Sequence, residues 1–322
     1  MLFTRWMLFN THWGSIMVQK GALLNGVVQA GALTATTANE ALPALDYRAL
    51  HMGNQRRLGR ISLTLRCLPL LSYLQHHRGA SLAVLNGDLF FESRILGIQQ
   101  KVEYHLERVQ RLDELNLLKT PGWENVEREW LFVKEQWRMD SPIANFNLHS
   151  HLINELLTFI KSLLFHEEVG TDGDSLLLLG YIVETLLPIV EVIAQIRGLS
   201  THRELDQEGD QEVVFKLNYL VTEFRQRQRG VLERCDAFSE RDRKWILKAY
   251  SESGCSEKVR DFAAEIADGQ QQGWHSGYGN GALFLSATKL IDAILFVSEC
   301  SIKRLRDHMD KNLQRWIYRE QA

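Results

Sequence analysis

From about residue 56 onward, apolar positions recur at spacings of three and four, broken only by short polar punctuation. This pattern predicts helices over roughly 56–86, 88–116, 123–138, 146–169, 174–202, 209–236, 239–251, 256–268 and 281–314. The breaks fall at Asn86-Gly87-Asp88, Thr120-Pro121-Gly122, Asp140-Ser141-Pro142 and Gly170-Thr171-Asp172-Gly173. Asp140 or Ser141, and Asp174, are the expected N-caps. Pro188 interrupts an otherwise continuous helix and is expected to kink it. The Gly/Gln/Ser run from Gly269 to Gly281 reads as the longest flexible connection. With five prolines and no strand alternation, the chain reads as all-α. Long helices joined by short turns pack as antiparallel bundles.

Two of these helices carry an arginine in their apolar stripe. Cys67, Leu71, Leu74, Arg78, Ser81 and Leu85 share one face of the first, and Leu186, Val190, Ile193, Arg197 and Ser200 share one face of the fifth. Burying a guanidinium costs several kcal/mol, by rough estimate, unless an anion compensates it. No carboxylate stands three or four residues from either arginine, so the compensating charge comes from another helix or from a ligand. The planar fork of a guanidinium suits bidentate pairing with a planar oxyanion. Arg78-Gly79-Ala80-Ser81 and Arg197-Gly198-Leu199-Ser200 repeat the pattern RGxS 119 residues apart. The glycine permits close approach, and Ser81 and Ser200 each add a hydroxyl one turn along. The repeat suggests two related half-bundles with a site at their junction. The plainer reading of a core arginine is a salt bridge to a neighbouring helix, or a side chain that snorkels to solvent.

Three stretches resemble the nitrate- and nitrite-sensing (NIT) domain family. Leu70 to Leu85, LLSYLQHHRGASLAVL, is similar to its opening LQxERGxS motif. Leu187 to Ser200, LPIVEVIAQIRGLS, is similar to its central motif, and Leu283 to Leu305 to its closing helix. They occur in the family's order and span about residues 56 to 312. The resemblance implies an all-helical domain of two antiparallel four-helix bundles joined through long helices. It implies nitrate or nitrite bound between them by arginines, and a sensory role in bacterial signalling. Arg78 and Arg197 match the family's ligand-binding arginines. The family uses a further arginine, for which Arg260 lies at about the expected distance. Glu257, one turn before it, offers Arg260 an ordinary ion pair, and Arg225 and Arg229 are alternatives. His76-His77 departs from the family's glutamate-containing stretch, and Phe284 stands near the usual tryptophan.

Composition narrows the remaining possibilities. A formal net charge of -3 gives no basic excess for nucleic acid. Cys67, Cys235, Cys255 and Cys300 are widely separated with no CxxC pair, which fits a reduced cytoplasmic chain without a structural zinc. Residues 1–55 read as a loosely ordered arm, lacking the run of about 18 to 20 apolar residues a membrane span needs. Residues 56–314 form the expected sensor domain and 315–322 a tail.

Other chemistry is weaker. His149, His151, His166, Glu167 and Glu168 suggest a metal site. However, His149 and His151 point about 200° apart on a helix, so this group reads as a solvated face. Asp172-Gly173-Asp174 opens like a calcium loop, but leucines occupy the later ligand positions. Arg225 to Arg229 reads as an exposed helix face, and Trp123, Trp130 and Trp137, at sevens, as a core seam. No GxSxG, HExxH, P-loop or GxGxxG context is present.

The expectation is a non-enzymatic cytoplasmic sensor with no cofactor, no metal, and no direct nucleic-acid or membrane contact. It would be a homodimer that signals to a separate output protein. Two buried guanidinium groups would repel until a monoanion neutralises them and tightens the junction. The alternative is a helical adaptor without a small ligand.

Overall fold

The computed structural model describes residues 47–166, 173–205, 211–274 and 281–321. Most of the expected arm lies outside them. Every described element is helical: α1 (Tyr47–Leu85), α2 (Leu89–Glu92), α3 (Ile95–Arg111), α4 (Pro121–Gln136), α5 (Pro142–Leu164) and α6 (Gly173–Tyr181) come first. A π turn (Ile182–Leu186) then leads into α7 (Leu187–Leu205), followed by α8 (Gln211–Glu233), α9 (Glu240–Glu252), α10 (Cys255–Gln271) and α11 (Ala282–Gln321). Helix α1 packs on α3, α5 and α7; α4 packs on α5; and α7 packs on α8 and α11. Helix α11 in turn covers α9, α10 and part of α1. The N-terminal and C-terminal helices therefore meet chiefly through α1 and α7, with further contact of α1 on α11 and of α5 on α7. A continuous apolar core, from Ile61 on α1 to Met309 on α11, runs through that meeting.

Local chemistry explains the boundaries. Helix α1 is already formed at Tyr47, the first described residue, rather than beginning near residue 56, and it continues through Pro69. The helix expected over 88–116 is divided. Asp88 caps α2 by accepting from the Phe90 and Phe91 amides, and α3 ends at Arg111. Just beyond the expected helix, Leu117 and Leu118 lie buried in a loop, their amides bonded to the Asp113 carboxylate. Ser141 caps α5, whereas Asp174 sits inside the first turn of α6. Ahead of Pro188, which has no N–H to donate, the helix widens into the π turn at Ile182–Leu186 instead of stopping. The connection expected from Gly269 also starts later. Gly269 is buried in α10, where a Cβ would come within 2.5 Å of the Trp274 ring.

The Trp123, Trp130 and Trp137 seam is buried as the sevens pattern predicts. Among the described residues, one helical stretch, Gly173–Arg203, is long and apolar enough to cross a membrane. Within it, 72% of the apolar window is buried inside the fold, as in a central core helix.

Candidate functional site

The α1–α7 contact brings Arg78 and Arg197 into one buried polar cluster, each no more than 1% exposed. Their surroundings differ. Arg78 forks onto Glu191 of α7, Nη1 donating to Oε1 at 2.5 Å and Nη2 to Oε2 at 3.2 Å. Its Nη1 also donates to Ser150 Oγ at 3.0 Å, and the guanidinium lies 5.1 Å from the Phe146 ring centroid. Glu191 accepts two further bonds, from Gln75 Nε2 at 2.9 Å and Gln195 Nε2 at 2.8 Å. Four donors thus surround one carboxylate, which is about its full capacity.

Arg197 has no such partner. Its Nη1 donates to Thr288 Oγ1 of α11 at 3.0 Å and its Nη2 to the Gln75 carbonyl at 3.4 Å, both neutral acceptors. Phe284 lies 5.3 Å from the guanidinium carbon. The Nε is buried with no hydrogen-bond partner. Burial first, and the neighbouring Arg78 charge second, pull its pKa down to about 10, against smaller opposing effects of Asp292 and Glu191. On α1, Arg78 Nε and Gln75 Oε1 are likewise buried and unpaired, as are Asn145 Oδ1 and His77 Nε2 among the residues packed between α1 and α5.

The RGxS echo is resolved in part. Both serines donate to the carbonyl of their own arginine, Ser81 to Arg78 at 3.1 Å and Ser200 to Arg197 at 3.0 Å. Neither hydroxyl proton is therefore turned to a guanidinium. Close approach occurs at one glycine only. A Cβ at Gly198 would meet the Phe146 ring at 3.4 Å, while one at Gly79 would meet nothing within 4 Å. Gly198 on α7 thus makes room for the ring that Arg78 leans on.

Arg260 is exposed on α10 and does not enter the cluster, and neither do Arg225 and Arg229, which lie on an exposed face of α8. The group around His149 also needs correcting. His151 is exposed, but His149 is fully buried and faces α1 rather than solvent. Its Nδ1 donates to the Asn145 carbonyl at 2.9 Å, so its Nε2 accepts from His77 Nδ1 at 2.7 Å. Desolvation pushes the pKa of His77 down to about 4 and holds that of His149 well below the ordinary value. Glu167 and Glu168 lie outside the described residues.

A second buried charge cluster ties α9 to α11. Asp242 accepts from Arg304 Nε at 2.6 Å, His308 Nε2 at 2.9 Å and Ser239 Oγ at 2.7 Å. Burial raises its pKa, but the three bonds outweigh burial and hold it below the usual carboxylate range. Asp174 stands close enough for a shared cation, yet the Arg304 guanidinium already takes the buried oxygen.

Sequence reasoning missed Glu191, six residues before Arg197, because it searched only one turn either side of each arginine, and it passed over Gln75, three before Arg78, because it searched for carboxylates. Glu191 is the one charged residue in the largely apolar run Leu186 to Ile196, and Gln75 directly follows the largely apolar run Leu68 to Leu74, and that was the available signal.

No protein-family model matches the chain, and no curated protein sequence matches it. Among solved structures it is similar to one described as the NasR transcription antiterminator, with a TM-score of 0.62 and 16% identity. The match covers 83% of this chain and 74% of that one. This all-helical fold is therefore shared with a transcriptional regulator.

Proposed function

We propose that this chain binds a small planar monoanion, nitrate or nitrite, at Arg197 and reports its occupancy to a separate output protein. One observation carries the reading: Arg197 is a fully buried cation with only neutral acceptors and an unpaired Nε. Such a charge is expensive to bury and is repaid by an anion. The fold likeness to a transcription antiterminator and the three stretches resembling the NIT family point the same way. The site offers no nucleophile or general-base constellation, so the proposed activity is binding rather than catalysis. In this reading the protein works in the cytoplasm, as a homodimer, without cofactor, metal, membrane or direct nucleic-acid contact.

An anion at Arg197 would face Gln75 of α1 and Thr288 of α11, both of which already touch the guanidinium. Neutralising the site would relieve the Arg78–Arg197 repulsion and draw α1, α7 and α11 together. The shift can be no larger than the anion's differential affinity for the two packings.

One observation also favours the adaptor reading: the Arg78 charge is already met by the Glu191 carboxylate. Thermal melts separate the two. Nitrate or nitrite at 100 times its Kd should stabilise the protein by about 2.7 kcal/mol, raising the Tm by several degrees, while equal chloride does not. Arg197→Gln should abolish the shift. No shift at millimolar nitrate and nitrite in the parent protein leaves the adaptor reading standing.

A further inference from the structure

We infer that Glu191 is a specificity-determining residue: a fixed internal carboxylate that sets the buried site's charge at one positive unit and so selects monoanions over dianions. This rests on the anion-binding reading and adds to it which charge the site admits and which residue decides.

The inference starts from the charges that face the cluster. From α1 comes Arg78, and from α7 come Arg197 and Glu191. Lys216 on α8 leans on the Phe146 ring at 4.8 Å and feels Arg78. Asp292 on α11 acts on Arg197 from a more exposed position. His76, beside Arg197, is held neutral, its pKa pushed down to about 4 by burial first and by Arg197 second. Glu212 acts against Lys216 and Lys258 against Asp292, so the balance rests on the buried trio of Arg78, Arg197 and Glu191, which leaves one positive charge.

Glu191 cannot move to cancel Arg197. Its oxygens are held by Arg78, Gln75 and Gln195, and each of these bonds would be lost if the carboxylate turned. Its charge therefore stays on Arg78, and the excess stays on Arg197. A monoanion brings the site to neutrality. A dianion would leave a net negative charge in a dry interior, where unpaired charge is strongly disfavoured. The same geometry keeps an entering anion from the Arg78 fork, since displacing Glu191 would strand a buried carboxylate.

The test is calorimetric titration of the full chain with nitrate and with sulfate, in the parent and in Glu191→Gln. The two ions differ in shape, but that difference is common to both proteins and cancels in the ratio. Parent protein should bind nitrate and not sulfate, and Glu191→Gln should shift the sulfate-to-nitrate ratio by roughly tenfold or more toward sulfate. An unchanged ratio, with nitrate binding retained, overturns the role of Glu191 and leaves the sensor reading intact. No nitrate binding by the parent overturns both.

A second pair works from the other side and does not disturb Arg78. Thr288→Asp places a carboxylate on Arg197 and brings the count to zero, so nitrate affinity should fall by roughly tenfold or more. Thr288→Asn alters the same contact without adding a charge and serves as the neutral reference, to which nitrate should bind roughly tenfold or more tightly than to Thr288→Asp. Nitrate binding that survives Thr288→Asp, or is lost equally in both variants, overturns the inference even if Glu191→Gln does not fold.

Discussion

Arg78 and Arg197 begin the same four-residue motif, lie on facing helices and are equally buried, yet one is closed and the other open. Arg78 has a forked carboxylate, a serine and a phenylalanine face. Arg197 has a threonine, a distant carbonyl and a phenylalanine face. The motif itself supplies neither set. The helix packed opposite decides whether a buried guanidinium is structural or available. Glu191, six residues before Arg197 on the same helix, serves the other arginine.

The largest effect that would break this contrast is truncation of each arginine. Arg78→Ala leaves the Glu191 carboxylate buried without its cation, and urea unfolding should register a loss of about 3–5 kcal/mol. Arg197→Met, in the absence of any anion, removes a buried charge that no carboxylate pairs directly and that Asp292 and Glu191 offset only in part, so stability should stay within about 1 kcal/mol of the parent. Equal losses in the two variants would show that the two sites are not electrostatically different.

Acid should act on the closed side through the histidine pair. Protonation is resisted in the folded state, where His77 titrates at about 4, but proceeds in the unfolded chain at about 6.5. The unfolded state therefore binds more protons in that window. The stability due to neutral His77 is present above pH 6.5 and is lost as the pH falls toward 4. The loss for this one residue is on the order of 3 kcal/mol. His77→Gln should flatten that part of a stability-versus-pH curve, and an unflattened curve would remove His77 from the account.

The smallest effect separates the glycines. Gly79→Ala meets open space in a helix and should stabilise by about 0.5–1 kcal/mol. In Gly198→Ala the new methyl touches Phe146, so the same helix gain is offset and the net change should be the smaller of the two. Guanidinium-induced unfolding of both variants checks this order.

Much of this was readable beforehand. Periodicity located the helices, and a guanidinium amid Leu74, Ala80 and Leu82 signalled a buried charge. What failed was pattern reading where burial and helicity part company. Leu112 and Leu115 continue the apolar spacing past Arg111, where the helix has ended, and both are exposed, while Leu117 and Leu118 are buried from a loop. His149 looked like surface because histidine tolerates water, and only the opposing His77 revealed its direction. The contact between Arg78 and Glu191 spans 113 residues, a separation that helical spacing cannot address. Arg260 had the right distance along the chain and the wrong face.

The π turn at Ile182–Leu186 governs the phase of everything after it. A π turn holds one more residue than an α turn, so it rotates the following helix by about 100° relative to an uninterrupted one. Glu191 and Arg197 both come after it and therefore turn together. Deleting one residue between 182 and 186 would restore a plain α-helix with the phase of both side chains kept, whereas winding the same residues into a plain α-helix without a deletion would swing both about 100° off α1. Arg78 and the open guanidinium would then lose their common neighbour in a single step, although no residue of the cluster had been altered.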